Sequence, residues 1–177
     1  VLLPDWNRAA LTRGGFAIEA ELRRSGRTKL AADRTRLLFL EEGITTTVTV
    51  RRWRDEITMQ MNGITEASNS GDFGTQVMAG GVAPLLHPDP RDVLVVGLGS
   101  GITASAVARF SSVRSIDCVE ISESVIHGAR FFEEANRGVM KDPRFHLILG
   151  DGRNHLRLSG EMYDCIVSEP SNVWNAG

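Results

Sequence analysis

The stretch Val93-Leu94-Val95-Val96-Gly97-Leu98-Gly99-Ser100-Gly101-Ile102 decides how this 177-residue chain is read. Its first four residues form the uninterrupted apolar run of a strand buried on both faces of a parallel sheet. Glycines at 97, 99 and 101 follow, and Ile102 to Phe110 then reads as a helix. Without side chains, the backbone between strand and helix can turn sharply and let a ligand approach the helix start closely. A tight turn serving no ligand is the other reading of the same spacing.

Downstream, the alternation continues. Ser115 to Ile121 is a second strand, and Ser122 or Ser124 can cap a helix that places Val125, Ala129 and Phe132 on one face. Phe145 to Leu149 and Tyr163 to Val167 are two more strands, separated by a short helical stretch over His155 to Leu158. Strands alternating with helices predict an α/β fold with a doubly wound, Rossmann-like parallel sheet.

Upstream the texture is antiparallel. Leu37 to Leu40 reads as a short strand, Thr45 to Trp53 as a β-branched strand, and Ile57, Met59 and Met61 alternate with Thr58 and Gln60. Asn62-Gly63 is a hairpin turn signal. A helix is expected over Phe73 to Leu86, with Asp72 as N-cap and Pro88 and Pro90 ending it. The chain therefore divides into an N-terminal segment, 1–70, with a small β-hairpin unit, and a Rossmann-like nucleoside-binding domain, 71–177. The first thirty or so residues carry only weak periodicity.

Composition narrows the partners. A net charge of −2 and a pI near 6.1 supply no concentrated basic face, so nucleic acid is not expected as a partner. Cys118 and Cys165 fall within apolar strands and read as free buried thiols. His87, His127, His146 and His155 are scattered singly, so no metal site is expected. No apolar stretch approaches the ~20 residues of a membrane span, and there is no secretory leader, so a soluble, cytoplasmic protein is expected.

Three strand-end features carry the binding chemistry. They are the loop of Gly97, Gly99 and Gly101; Glu120, about twenty residues on, where an acid can accept ribose hydroxyls; and Asp151 in Gly150-Asp151-Gly152, which can face an adenine amino group. Glu120 can equally be an exposed strand-end carboxylate, and Asp151 part of an Asp-Gly turn. Ile102 stands where a dinucleotide fingerprint wants glycine, which favours a sulfonium or amino-acid tail over a pyrophosphate and points to S-adenosylmethionine or a relative. Glu169, at the end of the fourth strand, can hold a cationic amine and take its proton, or be a solvated carboxylate before a proline turn. Glu66 and Asp72 are weaker substrate candidates, and Asp72 can be a helix cap alone.

From about Leu38 to Asn172 the order of elements and the motifs resemble the spermidine synthase family, the polyamine aminopropyltransferases. Asn62-Gly63 is similar to the family's Asp-Gly turn, Asp92 to Gly101 to its strand and glycine loop, and Val119-Glu120-Ile121 to its Val-Glu-Ile-Asp stretch. Asp142-Pro143-Arg144-Phe145, Gly150-Asp151-Gly152 and Tyr163-Asp164 match its later landmarks. The resemblance implies that Gly97, Gly99, Glu120 and Asp151, with Gly101 and Gly152 beside them, bind decarboxylated S-adenosylmethionine as co-substrate, with no metal, and that an aminopropyl group passes to a polyamine or other amine. Departures gather on the amine side. Glu169 and Asn172 stand at family aspartate positions, Glu66 at a glutamine, Thr75-Gln76-Val77 at a Tyr-His-Glu stretch, which makes Gln76 a further substrate candidate, and Ser122 at a second acid.

Ser168-Glu169-Pro170-Ser171-Asn172 is similar to a bacterial branch in which this domain follows a membrane transporter-like half. The full-length protein could then be membrane-tethered, with strands beyond the fourth missing here; a homodimer is left open. Besides aminopropyl transfer, two readings remain: a methyltransferase using intact S-adenosylmethionine on the same scaffold, and a nucleoside-binding or sensing domain without turnover.

Overall fold

In the computed structural model, residues 35–44 and 46–168 are described. Two four-stranded sheets account for the strands among them. The first is antiparallel, in the order β1 (Arg36–Glu42), β2 (Thr47–Trp53), β3 (Glu56–Met61), β4 (Ile64–Ser68). At the β3–β4 turn, Asn62 and Gly63 both take positive φ, 51° and 81°, as a two-residue hairpin turn of the primed class requires. The side chain of Asn62 also accepts the Thr47 amide at 2.9 Å, tying the turn to the start of β2. The strand after this turn, β4, has no boundaries in the sequence reading, because Thr65 and Glu66 break the alternation of apolar residues.

Helix α1 (Phe73–Leu86) has the expected bounds. Asp72 occupies its N-cap position but does not cap it. Its Oδ1 instead accepts the amide and hydroxyl of Ser68, at 2.8 and 2.6 Å, closing the β4–α1 turn on itself. The second sheet is parallel, in the order β7-β6-β5-β8, with β5 at Asp92–Val96, β6 at Ser115–Glu120, β7 at Phe145–Leu149 and β8 at Cys165–Ser168. Between them run α2 (Ile102–Val107), α3 (Glu123–Ala129) and α4 (Gly152–Leu158). Helix α2 is shorter than its expected span to Phe110, and β8 starts two residues later than expected, its pairing with β5 beginning at Cys165 opposite Val93.

The register places Val93, Ile116, Phe145 and Cys165 side by side on one face, with Val95, Cys118, Leu147 and Val167 in the next row. That face is covered by α2 and α3 through Ala104, Val107, Ile126 and Ala129, and by Ala83 of α1. The chain then passes from β7 to β8 across the other face through α4, where Gly152 lies so close to Val96 that a Cβ there would sit 2.6 Å from its Cγ1. Strand order thus reverses beside β5, which opens a crevice at the carboxyl ends of the strands, where ligands of open α/β sheets bind.

The antiparallel sheet buries Val48, Val50 and Met59 against Val125 of α3 and Phe132 in the 3-10 turn that follows it. Gly128 makes the approach possible, since a Cβ there would already touch Met59, Val48 and Val50. On the same side His127 Nδ1 lies 2.9 Å from a carboxylate oxygen of Glu41. The result is that β3 and β4 form one wall of the crevice and the glycine loop the other.

Candidate functional site

The crevice is a cleft of about 870 Å³. Its floor is the carboxyl ends of β5 and β6, and its walls are the glycine loop, the Gly150–Arg153 turn and the β3–β4 sheet with the start of α1. The candidates Gly97, Gly99, Glu120, Asp151, Gly152, Glu66, Asp72 and Gln76 all line it. Gly101 does not. It is buried behind the loop with φ of 80°, where a Cβ would lie 3.0 Å from the side-chain nitrogen of Asn136, so its smallness serves the turn and that contact. Glu169 lies outside the described residues.

Glu120 is 6% exposed, and both of its carboxylate oxygens meet backbone amides. Oε2 accepts from Leu98 at 2.8 Å and Oε1 from Ser122 at 2.9 Å. It therefore joins the glycine loop to the start of α3, and the remaining lone pairs of the same oxygens are the ones that can meet ribose hydroxyls. The expectation of an exposed strand-end carboxylate does not describe it. The sheet register carries on past the strand ends, with the Gly97 amide on the Val119 carbonyl at 2.8 Å and the Gly150 amide on the Glu120 carbonyl at 2.9 Å. The three candidate strand ends are in this way held at one level.

The loop itself is stripped of obstruction on its cleft side. Gly97 and Gly99 have φ of 92° and 52°, conformations that favour glycine, and a Cβ on Gly99 would meet nothing within 4 Å. Ser100 in the same loop is fully buried, its hydroxyl donating a short hydrogen bond to Oε1 of Gln76. The Gln76 amide nitrogen donates to the Ser68 carbonyl at 2.9 Å. Both ends of the Gln76 side chain are thus engaged inside the protein, which makes this residue a strut between the β4 wall and the glycine loop. Ser68, Ser100 and Asn136 belong to this scaffold and are not among the candidates. A buried serine or asparagine carries no signal in sequence, since its role depends on a partner 24 to 36 residues away.

Asp151 caps α4, its Oδ1 accepting the Asn154 amide at 2.7 Å, and it remains exposed at the cleft. The seat of α4 is reinforced beneath the cleft: the Tyr163 hydroxyl donates to Asp117 on β6 at 2.8 Å, and His155 Nε2 lies 2.7 Å from the same hydroxyl. Burial, then the Asp117 hydrogen bond and charge, push the Tyr163 hydroxyl well above its ordinary ionisation range, so it stays a donor.

The charge of the cleft is one-sided. Among the described residues five carboxylates line it, Glu56, Glu66, Asp72, Glu120 and Asp151, against one arginine, Arg153. Glu56 is steadied by Ser70, whose hydroxyl donates to Oε1 at 2.8 Å. Such a lining attracts a cationic ligand. Among the described residues no group of three or more His, Cys, Asp or Glu is placed to hold a metal ion, and no helix is long and apolar enough to cross a membrane.

Comparison with known proteins adds independent support. A polyamine aminopropyltransferase of Thermococcus onnurineus is 39% identical over 88 residues, half of this chain and 31% of that protein. One of Escherichia fergusonii is 32% identical over 112 residues, 63% of this chain and 39% of that protein. The matches therefore span only 31% to 39% of the length of these relatives. Among solved structures, a spermidine synthase in complex with the transition-state analogue AdoDATO superposes with a TM-score of 0.69 at 25% identity, over 76% of this chain and 47% of that one. The spermidine synthase of Thermotoga maritima gives the same score and identity over 75% of this chain. The spermine/spermidine synthase domain matches residues 72–173, from the Asp72 turn through the fourth strand and beyond. With more than half of its length under that match, and its glycine loop, Glu120 and Asp151 gathered at one cleft, the chain belongs to the spermine/spermidine synthase family.

Proposed function

We propose that this chain carries the nucleoside-binding cleft of an aminopropyltransferase that uses decarboxylated S-adenosylmethionine and an amine acceptor. The observation that carries the reading is the cleft's division of labour. Gly97, Gly99, Glu120 and Asp151 offer an open backbone and two acids for an adenosine. Glu56, Glu66 and Asp72 offer acids for a cationic amine on the opposite wall. The names of the relatives support the same reaction. Glu120 would hold the ribose hydroxyls and Asp151 the adenine amino group.

In this reaction the nitrogen lone pair of the acceptor forms a bond to the methylene carbon beside the sulfonium. The carbon–sulfur bond breaks, its electron pair returns to sulfur, and neutral methylthioadenosine leaves. The acceptor nitrogen must lose one proton. Glu169, directly after β8, is the proposed base, a placement resting on its position in sequence at the carboxyl end of the fourth strand. Holding amine and carbon in line is the larger contribution, since fixing two reactants in reacting geometry removes much of the barrier. The domain would work on the cytoplasmic side, alone or carried by a membrane transporter-like half.

A second reading is favoured by Arg153. This arginine, in the first turn of α4 beside Asp151, could pair with the carboxylate of intact S-adenosylmethionine and so direct the site to methyl transfer.

The full-length protein mixed with decarboxylated S-adenosylmethionine and a panel of polyamines is expected to release methylthioadenosine, read by mass spectrometry. Failure of every amine in the panel to give release would defeat the leading reading. Calorimetry with the two nucleosides separates it from the second, which requires preference for the carboxylated form. Glu169→Gln is expected to lower turnover by about 10²- to 10⁴-fold, the usual share of a general base, with nucleoside affinity nearly unchanged.

A further inference from the structure

We propose that Asn136 is a positioning residue for the nucleoside site: it sets the glycine loop from behind and does so without touching the cleft. It is 1% exposed and lies in the turn after α3, on the opposite side of the loop from the cleft. Its amide nitrogen donates to the Ser100 carbonyl at 2.8 Å and, with longer geometry, to the Ala129 carbonyl at 3.4 Å, while its Oδ1 accepts the Gly138 amide at 3.0 Å. One buried side chain thus joins the glycine loop, the end of α3 and a turn in which Arg137 and Gly138 both have positive φ, 55° and 66°.

The geometry explains why the loop keeps its open face. Among the described residues three side chains grip it, and Asn136 is the one that does not line the cleft: Glu120 takes the Leu98 amide, Gln76 the Ser100 hydroxyl and Asn136, from behind, the Ser100 carbonyl. With that carbonyl fixed, the Ser100–Gly101 peptide plane is fixed too. The Gly101 amide is then aimed at the Leu98 carbonyl, 2.8 Å away, which closes the turn. Gly101 has no Cβ, and the Asn136 amide occupies the space that one would fill. Without the Asn136 donor, the buried Ser100 carbonyl would lose its partner, and reorienting its peptide would take the Gly101 amide off the Leu98 carbonyl and loosen the turn that shapes the loop.

The proposal rests on the nucleoside reading only for its ligand measurement, so the test has two readouts. Asn136→Asp removes the donors, keeps the acceptor for Gly138 and puts a carboxylate against two carbonyl oxygens. In the full-length variant at pH 8, hydrogen exchange of the loop amides 98–102 is expected to speed at least tenfold over the wild type at the same pH, with β6 unchanged. Methylthioadenosine affinity by calorimetry should fall about tenfold. Lowering the pH to about 5.5 should restore both toward wild type, because burial beside carbonyl oxygens raises the carboxyl pKa and the protonated acid is again a donor. Asn136→Ser, which adds no charge, serves if the aspartate variant does not fold, with the same direction expected but no acid rescue. Unchanged loop exchange, or equal acceleration in the loop and β6, overturns the proposal. If the loop responds as stated while the wild type does not bind methylthioadenosine, the nucleoside reading fails and the positioning role stands. If the loop responds while wild type and variant bind equally, the role in ligand positioning is overturned.

Discussion

The Oε2 atom of Glu120 accepts the backbone amide of Leu98 at 2.8 Å, so the acid at the end of β6 and the glycine loop after β5 form one rigid unit. A ligand meeting Glu120 therefore meets a carboxylate already oriented by two amides, and little further ordering is needed on binding.

Replacing Glu120 by glutamine tests that unit. The amide oxygen can serve one of the two backbone donors, while its NH2 faces the other donor and leaves it unpaired. Losing charged hydrogen bonds of this kind costs about 1.5–3 kcal/mol, which corresponds to a fall in methylthioadenosine affinity of roughly 10- to 100-fold by calorimetry.

Two neighbouring glycines of α1 should behave oppositely. A Cβ on Gly80 would lie 2.1 Å from the Thr103 carbonyl oxygen and 2.9 Å from the Ala106 Cβ, so Gly80→Ala must push α1 off α2. The expected loss is about 1–3 kcal/mol or more. A Cβ on Gly81 meets nothing within 4 Å, and Gly81→Ala should stabilise the helix by roughly 0.5–1 kcal/mol. Thermal melts of both variants decide it.

Acid sensitivity should trace to two aspartates. Asp164 accepts the amides of Asp92 and Arg91, and Asp142 is held by the Arg144 guanidinium; these contacts keep both carboxyls below their ordinary range. A depressed folded pKa contributes stability that is fully present above the unfolded value of about 3.9 and is lost as pH falls through the folded value. Asp164→Asn and Asp142→Asn should therefore lower Tm at pH 7, with the difference from wild type shrinking by pH 2 to 3.

Cys118 and Cys165 are free and buried in β6 and β8, and burial, followed by nearby acidic charge, raises both thiols above their ordinary range. A thiol-disulfide reagent at pH 8 should leave both unmodified in the native protein and titrate two thiols per chain in denaturant. Rapid modification of the native protein would contradict the burial.

The elements most legible in sequence were those whose signal is local. Val93 to Val96 is apolar throughout because both faces of β5 are covered, and Asn62-Gly63 supports two consecutive positive φ values where few residue pairs can. Asp72 shows the limit of such reading. A helix N-cap and a β-turn acceptor ask for the same residue at the same place, and the choice fell to Ser68, whose amide and hydroxyl are both within reach. Gln76 is a substrate candidate only through the resemblance of Thr75-Gln76-Val77 to a Tyr-His-Glu stretch, while in the fold both ends of its amide are engaged between Ser68 and Ser100.

The strand–loop–helix alternation, the glycines at 97 and 99, and the acids at 120 and 151 are legible along the chain, because each depends on a period or a turn within a few residues. That β3 and β4 fold over to wall the cleft, that Gly101 serves Asn136, and that Glu120 is clamped to Leu98 emerges in the folded arrangement alone. Those outcomes depend on contacts between residues 22 to about 80 positions apart, such as Val48 and Val50 packing beside Gly128. Local pattern specifies which elements form, and the burial of one element's face against another specifies where their side chains meet.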